Sequence, residues 1–224
     1  MIIFAVKGLV LEIIYLKETT STHKVLISKL QNRELKTPVA LVADYQSQGV
    51  GSRENSWEGY EGNLFLSFSL KLDALPCDLP KSAMSIYFSY IMKEILSKFG
   101  SSVFLKWPND FYIDDKKIGG TITKILNDEI LVCSMGINLK NSPKEFSIID
   151  INIDKILLIE SLFLKLKEDI FWKDIFRKYQ VEFGKSQSFS YYDKMQKKKI
   201  PLKKARLLED GSIELNERKV YSLR

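Results

Sequence analysis

"KWPNDFYIDDKKIGG", Lys106 to Gly120, is the stretch on which the fold turns. A strand running into Lys106 and Trp107 meets Pro108, which has no N–H to give a ladder, so the strand breaks there. Asn109 and Asp110 sit at the broken end, where regular backbone gives way to a site. Asp114, Asp115 and Lys116 read as a charged surface turn. Lys117 then leads "IGG", and the missing Cβ atoms of Gly119 and Gly120 are expected to let a ligand pack directly on the strand. A lysine aimed at such a surface stabilises negative charge developing on a carboxylate or phosphate.

Working outward, "KKIGGTITKILND" and "EILVCSMGINL" read as strands, and "LPKSAMSIYFSYIMKEILSKFG" as a helix capped by Gly100. The apolar N-terminus "MIIFAVKGLVLEIIYL" lacks a basic leader and a small-residue cleavage site. It is too interrupted to span a bilayer, so a pair of strands is expected. "TTSTH", Thr19 to His23, is a hydroxyl-rich turn into a helix, with Ser21 or Thr22 as N-cap. "TPVALVADYQ" is a buried strand and "LFLSFSLKL" an alternating one. Between them lies the glycine-rich loop "SQGVGSRENSWEGYEGN". Residues 154–183 form an amphipathic helical pair, and the lysine-rich tail carries a hairpin around Asn216–Glu217. The expected class is α+β, a mixed β-sheet packed on helices. The expected division is 1–184 as one domain and 185–224 as a small C-terminal β domain.

The 224 residues are 45% hydrophobic, enough for a sizeable core, with a net charge of +6 that favours acidic or phosphorylated partners. Cys77 and Cys133 stand apart and His23 is the single histidine, which argues against a disulfide framework or a zinc cage. A reduced, cytoplasmic setting and no membrane span are expected. Six arginines against many lysines make each loop arginine informative. The lysine runs Lys197–Lys199 and Lys203–Lys204 are solvated faces, since no aromatic interleaving supports nucleic-acid binding.

The loop from Gly49 to Gly62 offers backbone N–H groups and one cation, Arg53, to an anionic group, although it is neither a P-loop nor GxGxxG. "SMGINL" ends a buried strand in Gly136 and then Asn138, whose amide can bridge a ligand or cap a turn.

Taken in order, "STH", "ADYQSQGVGS…W…GNLFLS", "KWPND", "KKIGG" and "GIN" resemble the biotin protein ligases, from about Ile13 to Leu139, and the tail "DGSIEL…VYSLR" resembles the end of that family's SH3-like domain. The resemblance implies a two-step reaction. Biotin and ATP give biotinyl-5′-adenylate and pyrophosphate with Mg²⁺ assistance, and a lysine of a biotin carboxyl carrier protein, an acetyl-CoA carboxylase subunit, then takes the biotinyl group. Residue by residue, it implies that Ser21, Thr22, His23 and Gln46 contact the ureido ring. Val50, Gly51 and Ser52 close over biotin, and Gly120 lines its channel. Lys117 meets the carboxylate and the α-phosphate. Arg53, Trp57, Lys106, Asn109 and Asn138 serve the nucleotide, with Asp110 in the polar frame. No metal ligand is assigned.

This chain departs from the family at the loop, where Val50, Ser52 and Asn55 stand at three usual arginine positions, leaving Arg53. It departs again at His23, which replaces the usual asparagine. About 12 residues precede the first matching strand, too few for a helix-turn-helix domain, so DNA-binding repression is not expected. Edge strands allow a homodimer. The rival readings are a lipoate or octanoate ligase or transferase, a nucleic-acid-binding protein, and an inactive biotin-binding relative.

Overall fold

The computed structural model describes residues 2–6, 9–51, 56–57, 59–193 and 197–221. An eight-stranded sheet is built from β1 (Ile2–Val6), β2 (Leu9–Thr19), β3 (Val39–Gln46), β6 (Leu64–Lys71), β7 (Phe104–Lys106), β8 (Asp110–Ile113), β9 (Lys116–Leu126) and β10 (Ile130–Ile137). Its order is β1-β2-β3-β6-β10-β9-β8-β7. β2 and β3 pair in parallel across helix α1 (Thr22–Gln31), while their neighbours pair antiparallel. The short hairpin β4 (Gly49–Val50) and β5 (Ser56–Trp57) rises from the loop after β3.

Alternation along the strands sets the layers. On β3, Ala40 and Val42 join the main core with α2 (Met84–Lys98), α3 (Lys155–Lys165) and α4 (Trp172–Glu182). Val39 and Leu41 face the other way, into a smaller cluster with Leu26 of α1, Leu126 and Val132. The sheet is therefore covered on both faces, and so is β6. The alternation of "LFLSFSLKL" suggests one solvent-facing side, yet Ser67 and Ser69 are as buried as Leu66 and Phe68. A polar side chain on a covered face must find hydrogen bonds, and these serines do.

Ser21 caps α1 from an extended backbone. Gly100 adopts φ +95° two residues after α2 ends. The break at Pro108 separates β7 from β8, and Asp114 turns the chain at φ 50° into β9.

The C-terminal strands are β11 (Ser190–Asp193), β12 (Lys198–Pro201), β13 (Arg206–Leu207), β14 (Ile213–Leu215) and β15 (Arg218–Val220). They form separate two- and three-stranded sheets, with Asn216 and Glu217 at positive φ between β14 and β15. Leu202, Leu207, Ile213 and Leu215 belong to the same core cluster as α2 and the large sheet. Trp107 explains its place in the opening stretch here. Its fully buried indole N–H donates to the Gly211 carbonyl at 2.9 Å, and its backbone N–H donates to Ser186 Oγ at 2.9 Å. Trp172 Nε1 donates likewise to the Glu209 carbonyl at 2.7 Å. Among the described residues no helix is long and apolar enough to cross a membrane.

Candidate functional site

Strand pairing brings small and polar residues together on the α1 face. Ser67 lies directly opposite Ser134, and Gly120 opposite Gly136. A register shift between β8 and β9 adds to this. Asp110 pairs with Gly120 and Phe111 with Gly119, but Tyr112 pairs with Lys117, so Ile118 is an extra residue on β9. Strict alternation would put Lys117 on the face opposite Gly120; the bulge re-aims it to the same side. Its ammonium pairs with Asp110 Oδ1 at 2.6 Å, with both side chains largely buried, and stands 5.6 Å over the Trp57 ring.

A cavity of about 40 Å³ results, and it collects most of the residues singled out above. Ser21, Thr22 and His23 come from the start of α1, Gln46 from the end of β3, Val50, Gly51 and Trp57 from the loop, and Asn109, Lys117 and Gly120 from the opening stretch. Such a volume holds water molecules but is well short of the several hundred Å³ that a small-molecule ligand occupies. Trp57 closes over the wall at Gly136. Trp57 lies so close that a Cβ on Gly136 would come within 3.0 Å of its Nε1. That indole N–H is buried without an acceptor, as is the hydroxyl of Thr121 in the cavity wall. Buried groups left unpaired this way are where an incoming ligand gains most.

The floor is a polar chain. Gln46 Oε1 accepts from the Thr22 backbone N–H at 2.7 Å and from Thr22 Oγ1 at 2.9 Å. Ser67 Oγ lies 2.8 Å from Thr22 Oγ1 and 2.7 Å from Ser134 Oγ. Ser134 Oγ in turn lies 2.7 Å from His23 Nδ1. Burial, with the Lys124 charge second, pushes the His23 imidazole down to about 4, so the ring is neutral at physiological pH.

The cavity opens into a cleft of about 1110 Å³ between the sheet and β11–β12, with which it shares His23, Asn109, Asp110 and Lys117. Lys81, Lys106, Lys124 and Lys199 also line this cleft, giving it a cationic wall. Lys106 is on its rim and not in the small cavity, with its ammonium 5.1 Å from the Tyr112 ring centre and 5.6 Å from that of Phe189.

Asn138 and Gly119 do not line the cavity. Asn138 is buried behind the wall: its Oδ1 accepts from Asn63 Nδ2 at 3.4 Å and its Nδ2 donates to the Ser147 carbonyl at 3.1 Å. Those bonds tie β10 to neighbouring loops, and Asn138 lines neither the cavity nor the cleft. Gly119 is not a floor for a ligand, because a Cβ there would meet the Gly136 carbonyl at 2.5 Å, so it serves strand packing. Asn109 lines the cavity but gives its amide N–H to the Thr121 carbonyl. Ser52, Arg53 and Asn55 lie outside the described residues.

Ser67, Ser134 and Thr121 were not singled out from the sequence. The signal for Ser67 was its place on a strand whose other residues are too apolar to leave one face in water.

Residues 15–139 match the model of the Biotin/lipoate A/B protein ligase family. The bifunctional ligase/repressor BirA of Escherichia coli is 29% identical over 163 residues, which cover 66% of this chain and 50% of that protein. Biotin–protein ligase 2 of Arabidopsis thaliana is 32% identical over 125 residues, 54% of this chain and 37% of its own. The chain thus spans about half, or less, of the length of these curated relatives. Among solved structures, the biotin acetyl coenzyme A carboxylase synthetase from Helicobacter pylori, with bound biotinylated ATP, superposes with a TM-score of 0.89. It is 38% identical, over 94% of this chain and 99% of that one. The biotin protein ligase from Leishmania major in complex with biotinyl-5-AMP, 19% identical, shares the fold at a TM-score of 0.68 over 94% and 95% of the two chains. The chain belongs to the biotin/lipoate A/B protein ligase family, on its biotin protein ligase side.

Proposed function

We propose that this protein activates biotin with ATP to biotinyl-5′-adenylate, releasing pyrophosphate, and transfers the biotinyl group to a lysine of a biotin carboxyl carrier protein such as an acetyl-CoA carboxylase subunit. The observation that carries this reading is Lys117, held between the polar floor of the small cavity and a cationic cleft. A carboxylate and a triphosphate repel one another, and a lysine at their junction offsets the repulsion without any enzyme nucleophile. Asp110 keeps the ammonium at that junction until the two anions arrive.

In the first step an oxygen of the biotin carboxylate bonds to the α-phosphorus, and the bond to pyrophosphate breaks. In the second step the carrier amine bonds to the acyl carbon, the acyl–phosphate bond breaks, AMP leaves and the amine loses a proton. The buried thiol of Cys133, pushed up by its surroundings, and the exposed Cys77 are not nucleophiles in this scheme. That separates the reading from a cysteine-dependent octanoyl transferase.

Among the described residues no group of three His, Cys, Asp or Glu side chains is placed to hold a metal ion, and Asp110 is already paired. The donors therefore do not fit a resident metal. Mg²⁺ is proposed to arrive on the phosphates of ATP, as part of that substrate.

Ser21, Thr22, His23, Gln46, Val50, Gly51, Ser52 and Gly120 are proposed for biotin, with Arg53, Trp57, Lys106 and Asn109 for the nucleotide. Residues 1–184 are proposed as the ligase unit and 185–224 as a small β unit. The proposed setting is cytoplasmic. A homodimer through an edge strand and no DNA partner complete the proposal.

Biotin-dependent exchange of labelled pyrophosphate into ATP tests the first half-reaction. Exchange with biotin and none with lipoate is expected. Exchange with lipoate alone would overturn the assignment. Arg53→Ala should lower kcat/KM for the complete transfer about 10-fold or more, because a single guanidinium has replaced several.

A further inference from the structure

The floor of the cavity contains four oxygen–oxygen or nitrogen–oxygen contacts in a row: Gln46–Thr22, Thr22–Ser67, Ser67–Ser134 and Ser134–His23, all between 2.7 and 2.9 Å. Each contact of that length in a buried site needs one proton between its two atoms. Three hydroxyls supply three protons. Gln46 supplies none, because its oxygen is the atom turned toward Thr22, fixed there by the Thr22 backbone N–H at 2.7 Å. The fourth proton has one remaining source, the imidazole nitrogen at the end of the chain. Any other assignment leaves two lone pairs facing each other at 2.7–2.9 Å.

We infer that His23 is held as its Nδ1–H tautomer by this chain, and that its bare Nε2 is the acceptor with which the cavity selects a ligand ring bearing an N–H. Protons then run one way, from His23 through Ser134, Ser67 and Thr22 to Gln46. Among the described residues Nε2 makes no hydrogen bond, and His23 lines both the cavity and the cleft. The neutral state of the ring is supported by its burial and by the Lys124 charge.

The inference rests on the biotin reading and deepens it. A cyclic urea brings N–H donors and one carbonyl acceptor, and Ser21, Thr22 and Gln46 stand beside His23 in the wall. A cyclic disulfide such as that of lipoate brings no N–H, and it would leave Nε2 stripped of water and unpaired. Sites built around a hydrogen bond reject ligands that cannot make it far better than apolar pockets reject extra bulk. An asparagine at this position could present an oxygen or an amide. The relay removes that freedom from His23.

His23 is the single histidine of the chain, so imidazole ¹⁵N spectra need no assignment. At neutral pH the free protein should show a protonated Nδ1 and an unprotonated Nε2, and saturating biotin should shift Nε2 while Nδ1 stays protonated. Ser67→Ala, which cuts the relay while leaving the ring in place, should give a mixture of tautomers. His23→Ala should weaken biotin binding about 10-fold or more, and His23→Asn should recover most of that loss.

An Nε2–H tautomer or an imidazolium in the free protein would overturn the inference. So would biotin saturation that leaves Nε2 unmoved, or a folded His23→Ala protein that binds biotin as tightly as wild type. A wild-type protein that fails to bind biotin would remove the functional reading and the inference together, and that outcome is read from the wild-type arm alone.

Discussion

The two faces of strand β6 carry opposite instructions. Leu64, Leu66, Phe68 and Leu70 enter the large core, where Phe68 meets Phe88 and Phe163 edge to face at 5.4 and 5.6 Å. One residue away, Ser67 is equally buried, yet it is spent on a hydrogen-bonded relay. One face stabilises by area and shape. The other is built from short polar side chains whose value lies in direction. Burial alone therefore does not tell core from site on this sheet; the pairing of polar atoms does.

The contrast breaks most visibly by truncating each face. Phe68→Ala should cost about 3–5 kcal/mol of stability in urea unfolding, with the biotin affinity of the folded protein unchanged. If that substitution abolished binding at full stability, the two faces would not be separate in function.

Next in size is the response to acid. The folded-state value of His23 lies below the ordinary 6.5, at about 4, so the unfolded chain takes up the proton first. The associated stability is complete above about pH 6.5 and is lost as the pH falls toward 4, by roughly 3 kcal/mol in total. His23→Asn should lose that part of the slope, and unfolding midpoints at pH 7 and pH 4.5 for both proteins check it.

Lys117→Ala should then lower kcat/KM about 100-fold or more while moving the unfolding midpoint little. A large fall in stability instead would make the Lys117–Asp110 pair structural. Ser67→Ala should cost about 1–3 kcal/mol through the unpaired groups it leaves, and should also weaken biotin. Trp107→Phe should cost about 1–3 kcal/mol, from the Gly211 carbonyl left unpaired and the space left by the smaller ring. Enhanced proteolysis after Gly184, with pyrophosphate exchange intact, would show it.

Much of the fold was legible. The strand break at Pro108, the N-cap at Ser21, the turn at Asn216–Glu217 and the helical pair before Phe183 all follow from local chemistry, and the structure has them. Contiguous motifs also supplied much of the candidate site, since Ser21 to His23, Gln46, Lys117 and Gly120 line one cavity. What escaped was non-local or rested on a single residue of register. Ser67 and Ser134 are 67 positions apart and become partners by strand pairing alone. Lys117 reaches the site face because Ile118 bulges, and no periodic pattern announces that. Trp107 and Asn138 sit in the most conspicuous motifs, and their hydrogen bonds to Gly211 and Ser147 are non-local ties that no motif announces.

The most direct measurement is single-turnover transfer of labelled biotin, from ATP and biotin, to an acidic biotin carboxyl carrier domain, with the adenylate followed separately. The account predicts adenylate formation followed by stoichiometric labelling of one carrier lysine, and the loss of both in Lys117→Ala. Biotin bound tightly by the wild-type protein, with neither adenylate nor labelled carrier formed, would contradict it.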